Sequence, residues 1–121
     1  MREKYQWNKL EFVFGRILLA SLFVAGALQK IIDPSAAQAL LANVGLPGWL
    51  VWPAMVLNGV AAIFLLLGVQ LIIVSRILAA YCLTTSIFHY VPGDPWQMSI
   101  LLKNWALAGG FFVLAALAND S

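Results

Sequence analysis

Charge is scarce in this 121-residue chain: 10% of residues are Asp, Glu, Lys or Arg, and the formal net charge is +2. No run of basic residues tracks a phosphate backbone, so the chain reads as having no nucleic-acid partner. There is one cysteine, Cys82. It has no intrachain disulfide partner, and no C-x-x-C metal spacing exists. There is one histidine, His89, which excludes a haem-binding histidine pair. It has no evident carboxylate and serine at matching depth for a catalytic triad, so no catalytic residue is assigned. A glycine-rich phosphate loop is also missing, and a large soluble cofactor has no domain to hold it.

Apolar side chains fill the chain instead. They make up 63% of it, with a mean hydropathy of +0.91, well above the share of an ordinary soluble domain. Four stretches, roughly 12–32, 49–69, 71–91 and 100–118, are each long and apolar enough to cross a bilayer. The hydrocarbon core is about 30 Å thick and needs about 20 mostly apolar residues per helix. The expected fold is all-α: an integral membrane four-helix bundle forming one domain over 1–121, with a short interfacial helix between the first two spans.

Punctuation residues divide the chain further. Asp33 is placed to cap, and Pro34 to open, a short helix over about 35–44. Gly45 can end it in a left-handed conformation. Leu46-Pro47-Gly48 reads as a turn, with Trp49 and Trp52 marking the next interface. Two readings stand for the end of the second span: a tight turn at Gly68-Val69-Gln70, or a longer helix to Val74 that turns at Ser75-Arg76. Pro92-Gly93-Asp94-Pro95 is a turn. Ala106, Ala108, Gly109 and Gly110 predict a small-residue face for packing within the bundle.

The N-terminus also has two readings. The polar segment 1–11, with Tyr5, Trp7 and three basic residues, suits a short amphipathic lead-in on the membrane surface. Alternatively, basic Met1–Arg16, apolar Ile17–Val24 and small Ala25-Gly26-Ala27 have the layout of a cleaved signal peptide. The apolar run continuing to Ile32 favours a retained span. Positive charge sets the orientation. Arg2, Lys4, Lys9, Arg16 and Arg76 share one side, while Lys30 and Lys103 lie on the other. The positive-inside rule puts both termini in the cytoplasm.

Polar residues within spans face the bundle, snorkel or do work. Arg16 and Arg76 are read as snorkelling to cytoplasmic headgroups. Asn58, near the middle of the second span, is read as an interhelical hydrogen-bonder. Thr84, Thr85 and Ser86 can return hydrogen bonds to their own helix, and Cys82 is deep. At the outer rim, Lys30, His89, Lys103 and Asn104 come from three different helices at similar depth. That convergence makes them candidate ligand-binding residues. Two lysines offer positive charge to an anion or carbonyl, and His89 can donate, accept or relay a proton.

The order of these features resembles the DoxX family of small four-span membrane proteins. The resemblance rests on Gly15-Arg16-Ile17-Leu18, Phe23-Val24-Ala25-Gly26 to Lys30, Val44-Gly45-Leu46-Pro47 and the Leu65-Leu66-Leu67-Gly68 exit. It continues through Arg76, Phe88-His89, Leu102-Lys103-Asn104 and Leu107-Ala108-Gly109-Gly110. Members commonly carry a glutamate before the glycine of the second span. Here Asn58 precedes Gly59, which removes an ionisable group from the membrane interior. The family takes its name from a subunit of an archaeal thiosulfate:quinone oxidoreductase. The resemblance therefore implies a multi-pass protein of a bacterial or archaeal cytoplasmic membrane. Its partners are the lipid bilayer and other membrane or redox proteins. As an enzyme it is at most a non-autonomous subunit of a quinone-linked oxidoreductase. The leading expectation is a subunit or anchor of a redox assembly that holds a quinone or small anion at the outer rim. The alternatives are a purely structural membrane subunit and a small transporter.

Overall fold

A computed structural model describes residues 2–118, with side chains described from Lys9 onward. The aromatic and basic anchors expected at positions 2, 4, 5 and 7 lie outside the described side chains. The chain forms α1 (Arg2–Ile32), α2 (Pro34–Asn43), α3 (Val51–Leu67), α4 (Leu71–Thr85) and α5 (Pro95–Leu117). A 3-10 turn at Gly48–Leu50 leads into α3, and another at Ser86–His89 continues α4. Among the described residues, four helical segments are long and apolar enough to cross a membrane: Lys9–Ile32, Gly48–Leu67, Leu71–His89 and Pro95–Leu117.

The polar lead-in is part of α1, not a separate surface helix. No proline interrupts it, and 31 residues at 1.5 Å each make about 46 Å of helix, longer than the hydrocarbon core. The first turns therefore emerge along the axis of the span.

Local chemistry fixes the remaining boundaries. The Asp33 carboxylate accepts from the Ser35 amide at 3.3 Å and from the Ser35 hydroxyl, and Pro34 opens α2. Gly45 follows at φ +78°. Gly68 ends α3 at φ +77°, and Gln70 adopts φ +52°. The tight-turn reading is therefore the one realised. The longer second helix is overturned because Ser75 is fully buried inside α4. Asp94 accepts from the amides of Trp96 and Gln97, with Pro95 in the first turn. This cap starts α5 five residues ahead of the apolar run that begins at Ile100.

Helix α1 packs chiefly on α3, and α4 on α5. Phe23 joins the two pairs. Its ring meets Phe111 edge-on at 5.5 Å between centroids and lies 6.4 Å from Tyr81. Buried Ala61, Ala62, Ala79 and Ala108 keep the backbones close. Of the small residues expected to form a face on α5, Ala108 is buried and Gly110 approaches Leu19. Ala106 and Gly109 are exposed. Large apolar side chains such as Leu18, Ile63, Ile73 and Val113 cover the outside, which suits a lipid solvent and not water.

Candidate functional site

The α1/α3/α4/α5 bundle holds a cavity of about 400 Å³ in the half nearer α2. It lies between the C-terminal part of α1, the first half of α3, the end of α4 and the first half of α5. Ala36, Ala37 and Leu40 of α2 complete its wall. All four rim residues read from the sequence, Lys30, His89, Lys103 and Asn104, line it.

Asn58 lines it as well, and its role is specific. Lys30 Nζ donates to Asn58 Oδ1 at 2.9 Å, joining α1 to α3. Asn58 is 2% exposed. Its interhelical hydrogen bond was expected, but its partner is a rim lysine, so the mid-span amide and the rim form one network. Gly26 makes this approach feasible. A Cβ there would sit 3.2 Å from Asn58 Oδ1 and 3.8 Å from Lys30 Nζ. The Asn58 side chain also interacts with the Tyr81 phenol.

His89 is brought in by a change of helix type. Thr85 Oγ1 donates to the Tyr81 carbonyl at 2.9 Å, and Ser86 Oγ to the Cys82 carbonyl at 2.8 Å. Such back-bonds perturb the local helix, and α4 tightens into the 3-10 turn that ends at His89. His89 Nδ1 then lies 2.7 Å from Gln97 Oε1 on α5. A carbonyl oxygen only accepts, so Nδ1 is the donor in this contact.

Asn104 is buried at 8% exposure. Lys103, one residue earlier, is exposed yet contributes to the wall, as a long side chain can. Asp33 is the one carboxylate among the lining residues, and Ser35 engages its Oδ1. The wall thus carries two ammonium groups, four carboxamides from Gln29, Asn58, Gln97 and Asn104, and a histidine. Among the described residues no cluster of three or more His, Cys, Asp or Glu side chains could hold a metal ion.

Arg16 and Arg76 stand apart from this cavity. Arg76 is exposed on α4. Arg16 leaves the axis of its own helix. It turns across to the end of α3, where Nη2 is 3.5 Å from the Leu66 carbonyl. Its guanidinium lies so close to Gly68 that a Cβ there would be 2.5 Å from Nη1. A cation at a helix C-terminus complements the carbonyls left open there.

Sequence reading missed Tyr81, Thr85 and Gln97 as wall residues. Helical spacing carried the signal. Tyr81, Thr85 and His89 recur every four residues, and Gln97, Ile100, Asn104 and Leu107 follow the same face of α5.

No curated protein and no solved structure gives a match. The DoxX family model matches residues 12–91. That stretch holds Arg16, Lys30, Asn58, Arg76 and His89, and it ends before Lys103 and Asn104 on α5. Well over half of the chain is covered and all four apolar helices are in place, so the chain is a multi-pass membrane protein that belongs to the DoxX family.

Proposed function

We propose that the outer-half cavity receives the head group of a quinone, and that the protein serves as a membrane subunit or anchor of a redox assembly. One observation carries the reading: Lys30, Lys103, Asn58, Asn104 and His89 converge on a single cavity of about 400 Å³. That volume lies within the range of small-molecule sites. A head group presents carbonyl oxygens, and the wall is rich in donors for them. It also offers the apolar faces of Phe23 and Leu107 for a ring.

A bound quinone supplies two-electron carrier chemistry, and the electrons come from a partner. The chain's own residues bind and orient. Lys103 Nζ and the Asn104 amide donate to one end of the head group. Lys30, held by Asn58, places positive charge where oxygen charge develops. His89, with Nδ1–H committed to Gln97, offers Nε2 to a hydroxyl or moves a proton there. The resemblance to a quinone-linked oxidoreductase subunit supports the redox setting. The excess of Lys and Arg beside the chain ends supports cytoplasmic termini in a bacterial or archaeal inner membrane.

Binding assays on purified protein test the reading, with a short-tailed quinone as the probe. Lys103→Met and His89→Ala should each weaken binding about tenfold or more, the scale of one lost charge-assisted bond, while helix content holds. Binding of a small oxyanion with no quinone binding would make the cavity an anion site. Equal binding by wild type and both variants would remove Lys103 and His89 from the site, and no binding by wild type leaves the structural-subunit reading.

A further inference from the structure

A second cavity, of about 880 Å³, lies at the opposite end of the bundle between α1, the α3–α4 turn and the last turns of α5. We propose that it is a binding site for one anionic glycerophospholipid from the adjoining leaflet, with the lipid phosphate held by Arg16. This site is independent of the quinone reading.

Three observations carry it. The first is an unsatisfied donor. Arg16 Nε is buried and has no hydrogen-bond partner, while Nη2 makes one long contact to the Leu66 carbonyl. A guanidinium offers five N–H donors in a rigid fork that matches phosphate geometry. A half-buried cation at the edge of the hydrocarbon needs an anion more than a surface cation does. The guanidinium lies beside Gly68 at the end of α3, which turns its fork toward this gap.

The second is shape. Gly15 on α1 and Gly110 on α5 line the gap, and a Cβ at Gly15 would meet nothing within 4 Å. Two glycines therefore leave a slot between these helices. Leu114 and Leu117 wall it with hydrocarbon, which suits an acyl chain below a phosphate.

The third is charge. Among the described lining residues, Lys9 and Arg16 outnumber the one acid, Glu11. The excess of one positive charge favours a lipid of net charge −1 over a zwitterionic one. It is also the end with most of the chain's basic residues.

Native mass spectrometry of the detergent-purified full chain, titrated with phosphatidylglycerol or phosphatidylcholine, tests the proposal. Wild type should hold one phosphatidylglycerol in preference to phosphatidylcholine. Arg16→Gln should weaken that binding about tenfold. Gly15→Leu keeps Arg16 and projects an apolar side chain from a position where a Cβ meets nothing within 4 Å, so it should weaken binding as strongly, with helix content as the check on folding. Equal affinity for phosphatidylcholine, unchanged binding in either variant, or displacement of the lipid by inorganic phosphate would each overturn the proposal. Loss of the bound lipid in Lys103→Met would do the same, because it would put the lipid in the other cavity.

Discussion

Removing the Lys30–Asn58 bond gives the sharpest test of the network beneath the candidate site. The bond is 2.9 Å long, joins α1 to α3, and has one fully buried partner. Hydrogen bonds to charged groups contribute about 1.5–3 kcal/mol in soluble proteins. Interhelical bonds in membranes average about 0.6 kcal/mol and reach about 1.7. Two local features decide between these scales. The ammonium faces a cavity, so water can replace part of what Asn58 supplies. Tyr81 can take over part of the Asn58 side chain's bonding when Lys30 is lost. Both pull the coupling toward the lower scale, to about 1 kcal/mol. The measurement is a double-mutant cycle on reversible unfolding in mixed micelles, with Lys30→Met, Asn58→Leu and the pair. Each single change should cost about 1–2 kcal/mol, and the double should cost less than their sum. A coupling below about 0.3 kcal/mol is within the additivity of unconnected sites. It would refute the claim that the rim lysine and the mid-span amide act together.

Other consequences follow from the same geometry. Gly68→Ala should destabilise more than Gly45→Ala. Both sites have positive φ, which costs about 1–2 kcal/mol for a residue with a Cβ, but only Gly68 also faces a guanidinium at 2.5 Å. The gap between the two variants should shrink in an Arg16→Gln background, and an unchanged gap would remove Arg16 from the account of that turn. Reporter fusions after Ser121 and within 92–95 should give cytoplasmic and external signals respectively. An external signal at the C-terminal fusion would reverse the orientation read from positive charge.

Elements set by local chemistry were legible in the sequence. Asp33-Pro34 and Gly45 cap or end a helix through bonds made within a few residues, so their letters suffice. The apolar runs located four spans because lipid selects on composition over about 20 residues. The start of α5 lies outside the apolar run for an instructive reason. Apolarity marks where a helix enters lipid, whereas Asp94 marks where it begins, and the turn holding Trp96 and Gln97 lies between the two. The contact of Arg16 with the end of α3 left no local signal, because that partner is 50 residues away. No local pattern reports which way a long side chain will turn.

The candidate site shows where such reading stops. Counting residues along a helix gives depth, and depth alone brought Lys30, His89, Lys103 and Asn104 to one level. A cavity also requires rotation about each helix axis, and packing sets that. Asn58 illustrates the difference: it lies deeper than the rim by count, yet the close approach at Gly26 brings its amide to Lys30. Lys103 and Asn104 illustrate it again. Consecutive residues on a helix point about 100° apart, so the two cannot face the cavity in the same way. Asn104 is buried against it, whereas Lys103 is exposed and reaches it with a flexible stem. The two substitutions should therefore behave differently. Lys103→Met removes a charge and should weaken an anionic or carbonyl ligand with little effect on folding. Asn104→Leu alters a packed wall and should disturb the fit of the ligand and the α4–α5 contact together. Binding loss without stability loss in Lys103→Met, paired with loss of both in Asn104→Leu, is the pattern this geometry requires. The reverse pattern would mean that Asn104, not Lys103, faces the mouth.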